Sequence, residues 1–510
     1  MRYLTLLLLL VPQSDPVVFQ VEGSKRSPIS PFVYGINHPD WDKQGWTPTL
    51  TRAGGNRLTA YNWETNASNA GSDWHHQNDN LMGTDVPGEP IRKGVAASHE
   101  HGASIVVTIP TIGRVAADKN GGGDVKQTPD YLNKRFLPSL SKKDGPFADS
   151  PDLADGKVYQ DEFVAWLEKK FPKAREDARR TIFYALDNEP DLWPHTHARI
   201  HPDPVRFDEV ARVNVEYASM VKRVAPKALV FGFVSYGWHG FTTLQNAPDR
   251  NGRDFTDFFL QEMSAAEKKA GKRLVDVLDI HWYPEARGGN QRVTEDVSSP
   301  EVAKARIQAN RSLWDPTYKE SSWISQAAGG AIRLLPRMRE KIEKNYPGTK
   351  LAITEYYFGG GDHISGALAQ ADGLGLFGRE GVFAATLWHL GRTKDTFIHA
   401  AFAMFRNYDG AGGSFGDTGL GVSGGDPARA SLYASVDDKK RPVLVLLNKT
   451  EGPLPVRLEL KDLPSFKSAA LYRLTSAEPK PAAQPDMTVS GTAMELELPP
   501  LSISTVVLRP

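Results

Sequence analysis

The segment TIFYALDNEP (Thr181–Pro190) indicates a buried strand that ends abruptly in acidic and amide side chains. Its first half is a continuous apolar run, which is typical of parallel strands covered on both faces. Polar groups directly after such a strand cost desolvation free energy unless they have partners or a chemical task. Glu189 stands at this point, and Pro190 restricts the path by which the chain leaves. The segment therefore predicts a parallel sheet with a polar side chain at one strand end.

Similar apolar runs recur along the first four fifths of the chain, and several are separated by helical patterns such as 161–171, 210–224 and 332–346. Strands that alternate with helices in this way predict an α/β fold, a (β/α)8 barrel with long loop insertions over residues 31–410. The eight predicted strands are Phe32–Asn37, Asn56–Asn62, Ser104–Ile109, Thr181–Glu189, Ala228–Val234, Val277–Tyr283, Lys350–Tyr356 and Phe383–Trp388.

The pattern changes from about residue 411, where short β-like runs alternate with Gly- and Pro-rich connections. This is typical of an antiparallel sandwich. The early run Pro16–Val21 precedes the barrel and could add a strand, so we predict a β-sandwich domain from residues 15–30 plus 411–510. The segment Ala477–Pro485, rich in proline and alanine, is predicted to be a loop within it.

The composition is that of a globular protein of 510 residues, with 40% apolar and 24% charged residues. Lys plus Arg and Asp plus Glu each number 61, and we find no basic stripe, so we expect no nucleic-acid partner. The chain has no cysteine, which excludes disulfides and thiolate chemistry. We expect a monomer.

The first 14 residues contain one arginine followed by a short apolar run. The run is too short to span a bilayer, and it resembles the beginning of a secretory signal without a clear cleavage site. We expect a secreted protein with no membrane partner. An expression remnant or a first strand is the alternative.

Two glutamates end strands on opposite sides of the predicted barrel, Glu189 on the fourth strand and Glu355 on the seventh. Side chains at the carboxyl ends of barrel strands face the active-site mouth. Glycoside cleavage needs such a facing pair, because one carboxylic acid protonates the leaving oxygen and a carboxylate attacks or activates water. For Glu189 alone, an ion pair or a helix cap is the alternative, and the presence of Glu355 weakens it.

Four long strings of the sequence are distinctive: ALDNEPDLWPHTHARIHPD (185–203), VLDIHWYPEARGG (277–289), PGTKLAITEYYFGGGDHISGALAQADGLGLFG (347–378) and YDGAGGSFGDTG (408–419). They closely resemble glycoside hydrolase family 44, a family of β-1,4-glucanases and xyloglucanases in the larger clan A. The resemblance runs from about Phe32 to near Pro510. It implies a retaining mechanism, with Glu189 as the general acid/base and Glu355 as the nucleophile, and a sandwich built from both termini.

Four further polar residues lie at predicted strand ends. Asn188 is placed to bind the sugar 2-hydroxyl, while Tyr283 and Arg57 could donate to the Glu355 carboxylate and keep it ionised. The alternative for Arg57 is an ion pair with Asp187 or another acid. His281 is either a pocket residue or a satisfied core histidine.

Tryptophan rings match the apolar face of β-linked glucose in size and polarity. We predict that Trp63, Trp74, Trp323 and Trp388 stack on sugar rings, with core packing as the alternative for each. After Trp323 the family pattern has a second tryptophan close by, where this chain has Ala327 and Ala328. The resemblance therefore implies that one glucose subsite is shaped differently here.

An acidic segment has oxygen-rich spacing that a structural Ca²⁺ site can use, and the family resemblance makes calcium plausible. A solvated acidic loop is the alternative. No cofactor is needed for the predicted catalysis. The candidate calcium ligands are Asp149, Asp152, Asp155 and Asp161.

We therefore expect a retaining endo-β-1,4-glucanase that cleaves glucans such as carboxymethylcellulose and xyloglucan. A xylanase or mannanase with the same pair is the nearer alternative, because the two carboxylates do not specify the C2 or C5 substituents of the sugar. A non-catalytic carbohydrate-binding protein is the more distant one.

Overall fold

The computed structural model describes residues 15–389, 394–489 and 491–510. Within them the chain forms two compact units: Ser30–Gly359 with Leu376–Asp395, and the segment up to Ile29 with Gly360–Gly375 and Thr396–Pro510. The predicted signal-like segment, residues 1–14, lies outside the described residues. No helix in the described part of the chain has the length and apolar character needed to cross a membrane.

The first unit contains a closed barrel of eight parallel strands that follow one another in chain order. This confirms the predicted barrel. Seven strands coincide with or overlap a predicted run, and Ser104–Ile109 and Lys350–Tyr356 have the predicted bounds. Both are almost wholly buried, which explains their continuous apolar sequence. The strands are Gly35–Asn37, Leu50–Ala53, Ser104–Ile109, Ile182–Leu186, Val230–Ser235, Val277–Trp282, Lys350–Tyr356 and Ala384–Leu387.

The second barrel strand was predicted wrongly. It is Leu50–Ala53, whereas Asn56–Thr59 within the predicted run Asn56–Asn62 forms a single helical turn. The true strand has only four residues and carries Arg52, so it lacks an apolar run. Gly55 separates the strand from the turn with a φ of +83°, a conformation that favours glycine.

The barrel interior is filled by apolar side chains from seven of its strands. Phe183 packs at its centre, with the rings of Phe32 and Phe231 at centroid distances of 5.2 and 5.6 Å. Such packed layers make a barrel a solid core rather than a pore. The polar residues at the carboxyl ends of the strands therefore stand above a closed apolar floor.

Helices between the strands follow the predicted pattern, including Gln160–Lys170, Phe207–Val224 and Leu334–Asn345. Three small sheets lie in the loops: Ser68–Asn69 with Asn78–Asp79; Arg114–Ala116, Phe136–Leu140 and Val158–Tyr159; and Arg287–Gly288 with Gln291–Arg292. The helices are Asn56–Thr59, Glu89–Glu100, Tyr131–Lys134, Gln160–Lys170, Trp193–Thr196, Phe207–Val224, Trp238–Thr243, Phe255–Ala270, Pro300–Ala309, Trp323–Ala327, Leu334–Asn345, Ile364–Arg379 and Thr396–Arg406.

The second unit contains a nine-stranded sheet whose apolar side chains share one core, which confirms the predicted additional β domain. The early strand Val17–Pro28 pairs with two strands from the far end of the chain, as the run Pro16–Val21 predicted. In spatial order the strands are Glu478–Thr488, Ser468–Thr475, Ser502–Arg509, Pro442–Asn448, Ala430–Val436, Thr418–Gly424, Val17–Pro28, Leu454–Lys461 and Ala493–Leu498.

The segment Ala477–Pro485 was predicted wrongly as a loop, because residues 478–488 form a strand at one edge of this sheet. An edge strand tolerates proline, since one side of its backbone has no ladder to complete. The predicted boundary at residue 411 stays a prediction, because the compact unit around the sheet also includes Gly360–Gly375 and the helix Thr396–Arg406.

Candidate active site

A cavity of about 390 Å³ opens at the carboxyl ends of the barrel strands. Glu189 and Glu355 both line it, together with Asn188, Tyr283 and Trp388. The structure therefore brings the two predicted glutamates, which lie far apart in the sequence, to one site at the expected end of the barrel.

The backbone beyond the fourth strand is shaped by Asp187, whose role the sequence left open. Its buried carboxylate accepts hydrogen bonds from the backbone amides of Thr111 and Ile112 and from the hydroxyl of Thr59. Asp187 and Glu189 have φ values of +68° and +47°, which are uncommon for residues other than glycine. Asp187 thus holds the strand end, and the turn that follows presents Glu189 to the cavity.

Glu189 and Glu355 meet at His281. The histidine Nδ1 lies 2.7 Å from Oε1 of Glu189 and 3.5 Å from Oε2 of Glu355. One carboxylate oxygen from each glutamate and one ring nitrogen of His281 all lie within 4.8 Å of one another. This separation is much shorter than the about 6.5–9.5 Å that inverting glycosidases need between their carboxyl groups. The geometry fits the closer pair of a retaining enzyme.

Glu355 is surrounded by hydrogen-bond donors. Arg52 Nη1 donates to its Oε1 at 2.7 Å, and the Tyr283 hydroxyl donates to its Oε2 at 2.8 Å. Burial acts to raise the pKa of Glu355, but the charge of Arg52 and the hydrogen bonds from Arg52 and Tyr283 lower it below its usual range. Glu355 is therefore held as a carboxylate. The contact predicted from Tyr283 is present.

Glu189 has the opposite environment. Burial and the negative charge of Glu355 raise its pKa well above the usual range, and Arg52 only partly opposes them. Because the two carboxyl groups repel each other when both are charged, the ionised state of one favours the protonated state of its neighbour. The pair thus combines one carboxylic acid with one carboxylate, which is the division that acid-assisted cleavage requires.

Arg52 is the functional residue that the sequence analysis missed. The prediction that Arg57 donates to Glu355 is wrong, because Arg57 forms an ion pair with Asp79 at 2.6 Å. The alternative of an ion pair with another acid is thus correct. The sequence feature that could have indicated Arg52 is the pair Gly54 and Gly55 that follows it. Larger residues would not fit there, because a Cβ at Gly54 would lie 2.4 Å from the Arg52 guanidinium carbon and one at Gly55 would lie 2.5 Å from Trp388.

Asn188 lies beside the acid as predicted. Its Oδ1 accepts from Arg52 Nη2 at 2.6 Å, and its Nδ2 donates to Oδ1 of Asn56 at 3.0 Å. Arg52 therefore links Asn188 and Glu355 through two nitrogens of one rigid guanidinium. This arrangement fixes the amide and the carboxylate relative to each other.

The four predicted sugar-stacking tryptophans separate into three groups. Trp323 and Trp388 line the cavity. Trp74 is 49% exposed and lies next to Asp73, which also lines the cavity. Trp63 was predicted wrongly: it is 1% exposed and packs against Phe163 and Trp166, so core packing accounts for it. Two tryptophans that the sequence analysis did not select, Trp238 and Trp282, also line the cavity.

The four aspartates of the acidic segment do not converge. Asp149 pairs with Lys169, and Asp161 accepts from the amide of Lys143 and pairs with Arg223 at 2.9 Å. Asp152 and Asp155 accept from amides of their own loop. The four carboxylates thus have separate partners, and calcium binding stays a prediction without geometric support.

In the described part of the chain, one group of three potential metal-binding side chains converges, and it is Glu189, His281 and Glu355. A direct hydrogen bond between His281 and Glu189 and another from Arg52 to Glu355 account for its geometry. We interpret it as a carboxyl pair with its histidine partner.

Comparison with known proteins finds similar sequences among glycoside hydrolases. A family model described as "Glycoside hydrolase family 44" matches residues 67–286. The sequence is 39% identical over 508 residues to "Endoglucanase A" of Paenibacillus lautus, covering 95% of this chain and 71% of that protein. It is 40% identical over 485 residues to "Beta-mannanase/endoglucanase A" of Caldicellulosiruptor saccharolyticus, covering 89% of this chain and 36% of that protein. The chain thus spans about a third of the length of this relative.

A solved structure extends the likeness to the whole fold. It is a Paenibacillus polymyxa xyloglucanase from glycoside hydrolase family 44, solved with xyloglucan. The two chains are 37% identical with a TM-score of 0.92, and the alignment covers 97% of this chain and all of the other.

Proposed function

The chain belongs to glycoside hydrolase family 44, and we propose that it cleaves internal β-1,4-glucosidic bonds of glucans with retention of anomeric configuration. The observation that carries this proposal is the placement of Glu189 and Glu355 around His281, with their pKa values moved in opposite directions. Glu189 acts as the general acid/base and Glu355 as the nucleophile.

In the first step a Glu355 oxygen forms a bond to the anomeric carbon while the glycosidic bond breaks. Glu189 gives its proton to the departing oxygen, so the leaving sugar departs as a neutral alcohol. Arg52 and Tyr283 hold the attacking carboxylate in place and keep it ionised until it reacts. The product of this step is a glycosyl ester on Glu355.

In the second step Glu189, now a carboxylate, removes a proton from a water molecule that attacks the same carbon. The ester bond to Glu355 breaks, and both carboxyl groups return to their starting states. Two inversions give net retention. The reaction uses protein groups and water, and we propose no metal or organic cofactor in it.

We propose that Trp323 and Trp388 bind glucose rings on either side of the cleaved bond, since both present aromatic surface to the cavity. Asn188 is placed to hydrogen-bond the sugar 2-hydroxyl, a contact that strengthens in the oxocarbenium-like transition state. Because the substrate is a polymer, we also propose that the enzyme is exported and acts outside the cell.

Initial rates on soluble polysaccharides test the substrate class. We expect kcat/KM on xyloglucan and carboxymethylcellulose to exceed kcat/KM on xylan and glucomannan, by about tenfold or more if the sugar rings that fill the cavity are glucose. Release of new reducing ends with a rapid fall in viscosity would show endo action. A higher kcat/KM on xylan or glucomannan would assign the same catalytic pair to a different backbone.

The pH profile of kcat/KM follows from the two pKa shifts. Activity requires ionised Glu355, so it rises with pH through a limb below the usual glutamate pKa of about 4.3. Activity also requires protonated Glu189, so it falls again at a limb well above that value. We expect a bell-shaped profile in the free enzyme. If both limbs gave apparent pKa values near that of an ordinary glutamate, the environments assigned to Glu355 and Glu189 would be contradicted.

A further inference from the structure

His281 is buried between the two glutamates, so its neighbours decide which ring nitrogen carries a proton. Nδ1 lies 2.7 Å from Oε1 of Glu189, and Nε2 lies 3.3 Å from Oγ1 of Thr354. Burial lowers the pKa of His281, which favours the neutral imidazole. A neutral ring has one donor and one acceptor nitrogen.

Thr354 is itself held by Asp279. Its Oγ1 lies 2.7 Å from Oδ2 of Asp279, and its backbone amide donates to Oδ1 at 3.2 Å. The two residues lie on the sixth and seventh barrel strands, which pair in parallel. The register of this pairing shifts between Ile280 and His281. Ile280 lies opposite Ile353 and His281 lies opposite Glu355, so Thr354 is skipped in the pairing with the sixth strand. Such irregularities re-aim side chains next to active sites.

Burial raises the pKa of Asp279, and the hydrogen bonds from the backbone amide and hydroxyl of Thr354 oppose this by stabilising the carboxylate. When Asp279 is ionised, only one arrangement of protons satisfies Asp279, Thr354 and His281. A carboxylate only accepts hydrogen bonds, so the single hydroxyl proton of Thr354 points to Asp279. Thr354 Oγ1 then accepts from Nε2–H of His281. The neutral imidazole therefore turns a bare Nδ1 toward Glu189, and the short contact at 2.7 Å requires that the glutamate supply the proton.

We propose that Asp279 and Thr354 are positioning residues that hold His281 in its Nε2–H tautomer, so that its Nδ1 accepts the proton-bearing oxygen of Glu189. The proposal rests on the proposed function in that it takes Glu189 as the acid. Ionised Glu189 would face a lone pair on Nδ1 at hydrogen-bond distance. The row Asp279–Thr354–His281 thus favours the protonated acid before cleavage and extends activity to higher pH.

Other charged and titratable groups around this row act on the same proton. Arg52 opposes protonation of Glu189, and Glu355 favours it. Apart from Asp279, which the variant Asp279→Asn changes, the remaining groups do not contact Nδ1 and are unchanged in the variants below. Thr354→Val therefore tests the tautomer without removing a charge. The groups that face Glu189 or His281 are Arg52, Asp73, Asp191, Tyr236, Asp279, Tyr283 and Glu355.

The test compares the alkaline limb of kcat/KM on carboxymethylcellulose in Thr354→Val, Thr354→Ser and Asp279→Asn. Valine removes the acceptor of Nε2–H, and the asparagine amide donates to Thr354 and reverses the hydroxyl. Either change lets His281 carry its proton on Nδ1 and donate it to the Glu189 carboxylate. We expect the limb to move to lower pH by about one unit in both variants, while Thr354→Ser keeps the position found in the wild-type enzyme.

Thr108→Val is the matched control, because Thr108 is a buried threonine on the third barrel strand whose hydroxyl has no partner among the described residues. We expect its limb to stay in place. A glycoside with a dinitrophenolate leaving group provides a second readout, since this leaving group needs no proton. On that substrate kcat/KM of Thr354→Val should stay within about threefold of wild type at the pH where it falls about tenfold on the glucan.

An unmoved limb in both Thr354→Val and Asp279→Asn would overturn the proposal, as would an equal shift in Thr354→Ser or Thr108→Val. If the first two variants do not fold, ¹⁵N spectra of histidine-labelled wild-type enzyme decide, because the proposal requires that His281 be protonated at Nε2 and bare at Nδ1. Failure of the proposed function is separate, since it would appear as normal glucan turnover by Glu189→Gln.

Discussion

Glu355→Gln is expected to lose about 10⁴-fold or more of kcat on carboxymethylcellulose, because the variant has no oxygen that can form the glycosyl ester. The amide oxygen can still accept from Arg52, and the amide NH2 can donate to the hydroxyl oxygen of Tyr283, so the buried guanidinium keeps a partner and the fold should persist. Measurement of kcat by release of reducing ends, beside thermal unfolding, separates loss of chemistry from loss of structure.

Chemical rescue sharpens this experiment. In Glu355→Ala the space left by the carboxylate can admit azide or formate, which would attack the anomeric carbon of an activated substrate once. The rescued product should have inverted configuration. Glu343→Gln is the matched control, since Glu343 is an exposed carboxylate on the helix Leu334–Asn345. Turnover by Glu355→Gln within tenfold of wild type would show that Glu355 is not the nucleophile.

Glu189→Gln is expected to lose about 10²–10⁴-fold of kcat/KM on unactivated glucan, which is the usual contribution of general acid catalysis. A glucoside with a dinitrophenolate leaving group should still form the ester on Glu355, because the leaving group departs without a proton. The second step loses its base, so the ester should accumulate and be visible by mass spectrometry of the intact protein.

External azide distinguishes the acid/base from a residue that only shapes the site. Azide needs no deprotonation, so it should speed the turnover of the activated substrate by Glu189→Gln and give a β-glycosyl azide. Equal losses on activated and unactivated substrates, without azide rescue, would contradict the role of Glu189.

Much of the barrel could be predicted from sequence because fully covered parallel strands are continuous apolar runs. Ser104–Ile109 and Lys350–Tyr356 show this directly. The strand Leu50–Ala53 was not predicted because it contains the charged residue Arg52. The charge of Arg52 is balanced by Glu355, which lies far away in the sequence. The pattern of neighbouring residues cannot reveal an ion-pair partner that lies so far away in the sequence.

The same dependence on distant partners explains which site residues could be predicted from the sequence and which could not. Glu189 and Glu355 could be predicted because strand ends place them, whereas the role of Arg57 depended on which run formed the second strand. Trp63 and Trp388 look alike in sequence, and only the packing of Trp63 on Phe163 and Trp166 separates core from cavity. The contact between Thr354 and His281 depends on a shift in strand register, which the sequence pattern does not predict.

The central claim is that Glu355 attacks the anomeric carbon while Glu189 supplies the proton, and product stereochemistry tests it most directly. The wild-type enzyme is mixed with xyloglucan, and ¹H NMR follows the anomeric signals of the new reducing ends before mutarotation. The mechanism with a glycosyl–Glu355 intermediate predicts that the β-anomer forms first and the α-anomer grows in later. An α-anomer formed first would contradict retention and with it the nucleophilic role of Glu355.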